Sequence, residues 1–230
     1  MTHSIPLKLW TFWNTDKPPV FVQWCVQQMK TYNPEWSLNV ISDSTVKQFV
    51  HRPFPSGFNS LTQTQRSDWV RLALLYTHAC TQYTHDPEYG GVWLDASILV
   101  FSGIQCWVDV NTEYDVQGFC FPADNNVIEN WAMAAPKQNV FIGHWLEEWE
   151  IALGEGPTTY CLRNRSKISP ALYVYLPYLA NFAAFCVARN DRHPDVKLRL
   201  LSSQTDRGPF VLHQTCNWNR IVSGNERVRT

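Results

Sequence analysis

The first residues with chemical promise are Asp68 and Arg71, in the segment TQRSDWVRLALLYTHA. Three positions apart on a helix, they share one face. The segment is otherwise apolar around most of its circumference, as a buried helix is. Charges inside such a helix must pair with each other or meet something charged. Two roles are open. One is an internal ion pair at the helix start. The other is a pair aimed into a cleft, with Arg71 donating to an anionic or hydroxyl-rich ligand and Asp68 accepting from hydroxyls. The second stretch is GGVWLDASILV, residues 90–100. A Gly-Gly turn leads into an apolar strand carrying Asp95, then Ala96 and Ser97. In an extended strand, residues i and i+2 point to the same side, so Asp95 and Ser97 are expected side by side. Asp-x-Asp near the carboxyl end of a strand can hold a hard divalent cation and, through it, a diphosphate. Asp-x-Ser keeps the spacing with one charge fewer. The alternative for Asp95 is a structural carboxylate bonded to Arg71 or to backbone amides.

These side chains need a frame, and the surrounding segments alternate between strand and helix patterns. Leu7–Trp13 reads as a strand, and VFVQWCVQQMKTY as a helix with Val22, Cys25, Val26 and Met29 at helical spacing. NPEW breaks it, and Ser37–Ser42 reads as a second strand. This strand–helix–strand opening is that of a parallel α/β sheet. DSTVKQFV is expected as a short helix, VWLDASILVF and DVQGFCFPA as strands, and NWAMAA as strand or turn. VFIGHWLEEWEIAL is expected as a helix with an exposed acidic face, GEGPTTYCLRNRSKISP as loop, and LPYLANFAAFCVARN as a helix. KLRLLSSQTDRGPFVLHQTCNW reads as short strand pieces and turns. The long connection before Gly90 holds His78, Cys80, His85 and Asp86, whose spacing fits no standard zinc pattern and reads as a loop insertion. The expected class is α/β with a mixed sheet.

Bulk properties narrow the function. A length of 230 residues suits one domain, and 45% hydrophobic with 17% charged residues is a globular composition. A net charge of -1 argues against non-specific nucleic-acid binding. No run of about 18 apolar residues predicts a transmembrane segment, and MTHSIPLKLW lacks an apolar signal core. The 7 cysteines, odd in number and without a Cys-x-x-Cys pair, suggest reduced thiols and a cytoplasmic protein. The 11 tryptophans suit a core and also stacking on bases or sugars.

Taken together, SDWVRLALL and GGVWLDASIL resemble the Ser-Asp-x-x-Arg … Gly-Gly-x-Trp/Tyr-x-Asp-x-(Asp/Ser) core of glycosyltransferases of the capsular-polysaccharide-synthesis type, a core shared by the large clostridial glucosylating toxins. IPLKLWTFW and NPEW are similar to that family's opening strand and its later Asn-Pro, and VIENWAMAA resembles its segment after the metal motif. The resemblance covers roughly residues 5–150. It implies a single GT-A-like glycosyltransferase domain over residues 1–230, with a central mixed sheet flanked by helices. Residues of about 5–150 would form the nucleotide-sugar-binding core and those of about 151–230 the acceptor-side region. The implied reaction moves a sugar, with retention, from a nucleotide-sugar donor (a UDP- or GDP-sugar) to a glycan acceptor. By motif position, Trp13 would lie beside the base, and Asp68 and Arg71 would contact the donor sugar, Arg71 also lying near the phosphates. Asp95 and Ser97 would occupy the metal motif with a divalent cation, Mn2+ or Mg2+. Glu129 and Asn130 would lie near sugar and acceptor. His213 is the candidate to complete the metal site, with a structural histidine as its alternative.

Ser97 departs from the two-acid form of the motif and implies weaker metal binding. It also favours a rival class, a non-catalytic nucleotide-sugar or glycan-binding protein on the same fold. A hydrolase using Asp95 as nucleophile lacks a paired acid at a convincing position.

Overall fold

The structure, a computed structural model, describes residues 3–76 and 90–204. Segment 77–89, with His78, Cys80, His85 and Asp86, and segment 205–230, with His213, lie outside the described residues. In chain order the elements are β1 (His3–Ser4), β2 (Lys8–Phe12), α1 (Val20–Tyr32), β3 (Ser37–Ile41), α2 (Val46–Phe49), α3 (Gln63–Leu75) and β4 (Gly91–Leu94). They continue with β5 (Asn111–Thr112), β6 (Val116–Phe121), β7 (Asp124–Ala135), α4 (Val140–Glu155), α5 (Pro157–Arg163), α6 (Ala180–Val187) and β8 (Leu198–Ser202).

Six strands form one sheet in the order β3-β2-β4-β7-β6-β8, while β1 and β5 pair separately. β2 runs parallel to β3 and β4, β7 runs antiparallel to β4 and β6, and β8 is parallel to β6. The mixed α/β sheet expected from the sequence is therefore the architecture. Strand alternation divides the interior into two cores. Trp10, Trp93, Met133 and Ala135 point into one with the buried faces of α3, α4 and α6. Leu9, Val92, Leu94, Ala132 and Ala134 point into the other with Met29 of α1 and Trp36.

The three parallel strands end at a common edge. Phe12 pairs with Ile41 and Trp10 with Trp93, so Trp13, Ser42 and Asp95 all follow the carboxyl ends of adjacent strands. Such an edge is where open α/β sheets bind ligands. The Gly-Gly pair sets the start of β4. Gly90 and Gly91 have φ of 92° and 107°, a region that L side chains rarely enter. A Cβ on Gly91 would also lie 2.4 Å from the Lys8 carbonyl oxygen of β2. Gly91→Ala is expected to cost about 3 kcal/mol or more through strain plus this backbone clash, read as a lowered midpoint in chemical denaturation.

α3 begins with a capping box. Gln65 N donates to Thr62 Oγ1 at 3.2 Å, and Thr62 N donates to Gln65 Oε1 at 3.0 Å. This fixes the start of the helix, after which every residue from Asp68 to Leu75 is buried.

Three expectations need correction. The strand expected over VWLDASILVF stops at Leu94, because the Ile98 N–H turns back onto the Asp95 carbonyl at 2.9 Å. The segment GEGPTTYCLRNRSKISP is not all loop. Pro157 starts α5 at a position whose missing N–H costs nothing, and buried Tyr160 holds the helix down by donating to Glu148 at 2.8 Å. The acidic residues of α4 are not an exposed face. Glu148 is buried, and Glu150 accepts from Arg52 at 2.8 Å and from Trp69 Nε1 at 2.9 Å. NWAMAA, expected as strand or turn, is strand, the second half of the 12-residue β7. Among the described residues, Cys25, Cys120, Cys161 and Cys186 are free and buried, Cys106 is free and exposed, and no helix is long and apolar enough to cross a membrane.

Candidate functional site

The site is built around Arg71, which is 2% exposed. A buried guanidinium requires acceptors for its donors. Nε donates to the Ser67 carbonyl at 3.4 Å, and Nη1 donates to the Asn130 carbonyl. Nη2 lies 3.3 Å from Ser67 Oγ, 3.3 Å from Asp68 Oδ1 and 3.0 Å from Asp95 Oδ1. The guanidinium also sits over the Trp93 ring, 5.2 Å from its centroid. The internal ion pair of Asp68 with Arg71 and the bond from Arg71 to Asp95, the structural readings of the two motifs, are one network. Arg71 spends its fork on protein acceptors and holds two carboxylates together.

Asp95 comes directly off the end of β4. Its Oδ1 accepts from Trp93 Nε1 at 2.7 Å, and its N–H donates to the Trp131 carbonyl at 2.9 Å. Protein surrounds it on most sides, yet 31% of its side chain stays exposed, so the carboxylate combines anchoring with access to solvent. Ser97 is exposed and lies on the turn after the strand. The strand alternation expected to present Asp95 and Ser97 together does not apply, because extended backbone ends before both.

A bulge in β7 supplies the third side. β6 pairs Gly118 with Met133 but Phe119 with Glu129, so Asn130, Trp131 and Ala132 are extra residues relative to β6. Ala132 stays paired with Leu94 of β4. Bulges re-aim side chains next to functional sites. Here the Asn130 carbonyl reaches Arg71, and Asn130 Nδ2 donates to Asp68 Oδ1 at 3.0 Å and to Asn181 Oδ1 at 3.1 Å. Glu129 is bound separately, accepting from Trp131 Nε1 at 3.0 Å.

Burial pushes the Asp68 carboxyl up to about 7, against the pull of Arg71 and with a further push from Asp95. Glu129 is pushed up to about 7, chiefly by burial, with the Trp131 hydrogen bond opposing and the Asp95 charge adding. Asp95 is also raised by burial, offset by Arg71 and Trp93, and its solvent access tempers the effect. An acid raised in the folded state stays protonated there while the unfolded chain ionises. Its stabilising contribution is complete below the ordinary values of 3.8 and 4.5 for these two acids and is lost as pH rises through about 7. Asp68→Asn removes one such group while Asp95 still pairs with Arg71. Thermal melts from pH 5 to pH 8 are expected to show this variant gaining on wild type as pH rises, with the largest difference at pH 8. A difference independent of pH would contradict the raised Asp68.

Of the residues singled out in the sequence, Asp68, Arg71, Asp95 and Asn130 form one network, with Glu129 close enough to feel Asp95. Trp13 is half-buried at the same sheet edge, its N–H donating to Ile41 at 2.9 Å. His213 lies outside the described residues. Two participants were missed. Trp93, two residues before Asp95, donates to it from within β4, a contact across the strand end that alternation does not announce. Asn181, 1% exposed, is the lone amide in ANFAAFCV, a polar residue on an otherwise apolar helix. Its Nδ2 has no hydrogen-bond partner among the described residues.

Comparison with known proteins covers most of this site. Glycosyltransferase afumC of Aspergillus fumigatus is 27% identical over 199 residues, an alignment taking in 77% of this chain and 48% of that protein. The chain therefore spans about half the length of the curated relative it matches. A solved structure, the PaToxG glycosyltransferase, superposes with a TM-score of 0.47 at 16% identity, covering 80% of this chain and 78% of that one. The family described as capsular polysaccharide synthesis protein matches residues 2–149, the span that holds α3, β4 and the bulge of β7. With well over half of its length in that match, the chain belongs to the capsular polysaccharide synthesis protein family.

Proposed function

We propose that this protein is a glycosyltransferase of GT-A-like architecture that moves a sugar from a nucleoside-diphosphate donor to a hydroxyl of a glycan acceptor. The observation that carries this reading is the network of Asp68, Arg71, Asp95 and Asn130 at the carboxyl edge of parallel strands. A fixed buried cation next to hydroxyl-accepting carboxylates suits a sugar attached to a departing diphosphate. The name of the relative, glycosyltransferase afumC, supports the same reaction class.

A divalent cation, Mn2+ or Mg2+, fits the residues in a sparse mode. Asp95 keeps solvent access, and exposed Ser97 follows two residues later on the turn after β4. Among the described residues no group of three or more His, Cys, Asp or Glu side chains could hold a metal ion. Hard cations bound by one or two protein oxygens take their remaining ligands from substrate phosphates and water. When bound, the cation would neutralise charge on the diphosphate, with Asp95 and Ser97 as its protein ligands.

The chain's own residues supply the rest. Arg71 contributes a preorganised positive charge facing the negative charge that grows on the leaving diphosphate. Asp68, fixed by Arg71 and Asn130, accepts from sugar hydroxyls and orients the ring. Asn181 steadies Asn130 from the other side by accepting from its Nδ2 at 3.1 Å. Trp13, at the same edge, offers an aromatic face to the base. With retention of configuration the departing phosphate takes the acceptor's proton, so no residue serves as strong base. Glu129 positions the sugar or the acceptor.

The test is incubation with a panel of UDP- and GDP-sugars with Mn2+ or Mg2+, following release of the nucleoside diphosphate. Slow hydrolysis of at least one donor is expected. A folded protein that neither binds nor hydrolyses any donor would contradict the reading. The single acid at Asp95 favours a second reading, a nucleotide-sugar or glycan-binding protein without catalysis. Donor binding without release under any metal condition would support it.

A further inference from the structure

A cleft of about 340 Å³ lies away from the donor network, where the start of β7 meets the end of α6 and the segment after α5. Val127, Ile168 and Phe185 give its lining an apolar part, and Asp124, Asn126, Ser166, Arg189 and Asn190 bring polar groups to it. We propose that this cleft is a saccharide-binding subsite that holds the acceptor glycan. Calling its ligand the acceptor rests on the glycosyltransferase reading above.

An apolar patch with a few convergent polar groups is the usual form of a small-molecule site. The polar groups here are held in place and still have capacity to spare. Arg189 Nη1 donates to the Asn126 carbonyl at 2.8 Å, one of five N–H donors on that fork. Asn190 Nδ2 donates to the Lys167 carbonyl at 2.8 Å, which orients its side-chain oxygen as an acceptor. Asp124 is locked by Ser169 Oγ at 2.6 Å and by Asn126 N at 2.9 Å. Ser166 adds an exposed hydroxyl. Donors and acceptors thus both border an apolar patch, which matches the hydroxyls and C–H faces of a sugar. A phosphate or sulfate suits the cleft poorly. Asp124 would repel it, and Lys167 is already paired with Asp191.

Two features place the cleft usefully. Residues 188–192 are π-helical, closed by His193 N donating to the Ala188 carbonyl at 2.9 Å, and such turns recur at functional sites. This turn carries Arg189 and Asn190. The cleft also lies on the seam between β7 and α6 that holds the Asn130–Asn181 bond. From Asn126 to Asn130 is roughly 13 Å along a strand, and from Asn181 to Arg189 roughly 12 Å along a helix. A short oligosaccharide seated in the cleft would reach the donor network.

The test is saturation-transfer NMR with maltotriose, cellotriose and mannotriose on the full chain. Wild type is expected to bind at least one of them, and Arg189→Ala to weaken that binding by about tenfold or more. Ser166→Trp, at an exposed position, should block the cleft without touching the core and lose the signal as well. Absence of trisaccharide binding by folded wild type, or binding that survives both variants, overturns the proposal. So does inorganic phosphate binding in the cleft with no saccharide bound. Trisaccharide binding lost in the variants, from a protein that ignores UDP and GDP, would keep the subsite and sink the donor reading instead.

Discussion

Replacing Arg71 with methionine is expected to destabilise the protein by about 3–5 kcal/mol and to abolish sugar transfer. Arg71 is the common partner of Asp68, Asp95, Ser67 and the Asn130 carbonyl. Methionine fills much of the volume and supplies no donor, so the carboxylates at 68 and 95 lose their counter-charge. Both would move further up in pKa, and the penalty should grow with pH as their ionisation is forced. Urea denaturation at pH 5 and pH 8 measures this, with the larger loss expected at pH 8. Arg71→Lys keeps one charge but cannot reproduce the planar fork that reaches four partners. It should fold with a smaller loss and still fail in transfer. If Arg71→Met were as stable as wild type at pH 8, the guanidinium would not be the hub of the site.

Asp95→Ala is expected to leave the fold intact and to reduce donor turnover by about 10²–10³-fold or more. The separation of stability from activity follows from its position. Asp95 is the acid of the network with solvent access, and Arg71 retains Asp68 when Asp95 is removed. Ser97→Asp makes the complementary case. It restores a second acid on the exposed turn after β4, so it should keep activity and tighten binding of Mn2+, read by calorimetry. Turnover unaffected by Asp95→Ala would remove Asp95 from the donor site.

The part of the site carried by local pattern was legible in the sequence. Asp68 and Arg71 sit three apart on a helix whose apolar surround already required them to be paired or used. Gly90 and Gly91 marked the turn into β4, and positive φ at both explains why no other residue type stands there. The alternating strand and helix segments gave the mixed sheet. Features that depend on partners far along the chain were not legible. The extra residues of β7 exist only relative to β6, so no pattern within VIENWAMAA announces a bulge. Asn181 meets Asn130 across 51 residues, and its helix reads simply as core. The expected pairing of Asp95 with Ser97 failed because strand periodicity was extended past Leu94, where a turn takes over. α5 was missed because seven residues with two buried side chains give too short a period to recognise.

The later part of the chain shows the same division. The family match ends at residue 149, so Asn181 and the cleft residues Ser166, Arg189 and Asn190 lie beyond it, while Asp124, Asn126 and Val127 of the same cleft lie within it. The Asp68–Arg71–Asp95–Asn130 network and the cleft both border the β7–α6 seam, one of several places, with the β6–β8 pairing, where the family-matched part meets the later part of the chain.

Calorimetric titration of UDP and GDP into wild type and Asp95→Asn, each with and without Mn2+, tests the donor site most directly. Wild type is expected to bind one nucleotide more tightly with Mn2+, and Asp95→Asn to lose that gain while melting like wild type. Absence of nucleotide binding by wild type, or an identical Mn2+ effect in the variant, would contradict the assignment of Asp95 and its network to the donor diphosphate.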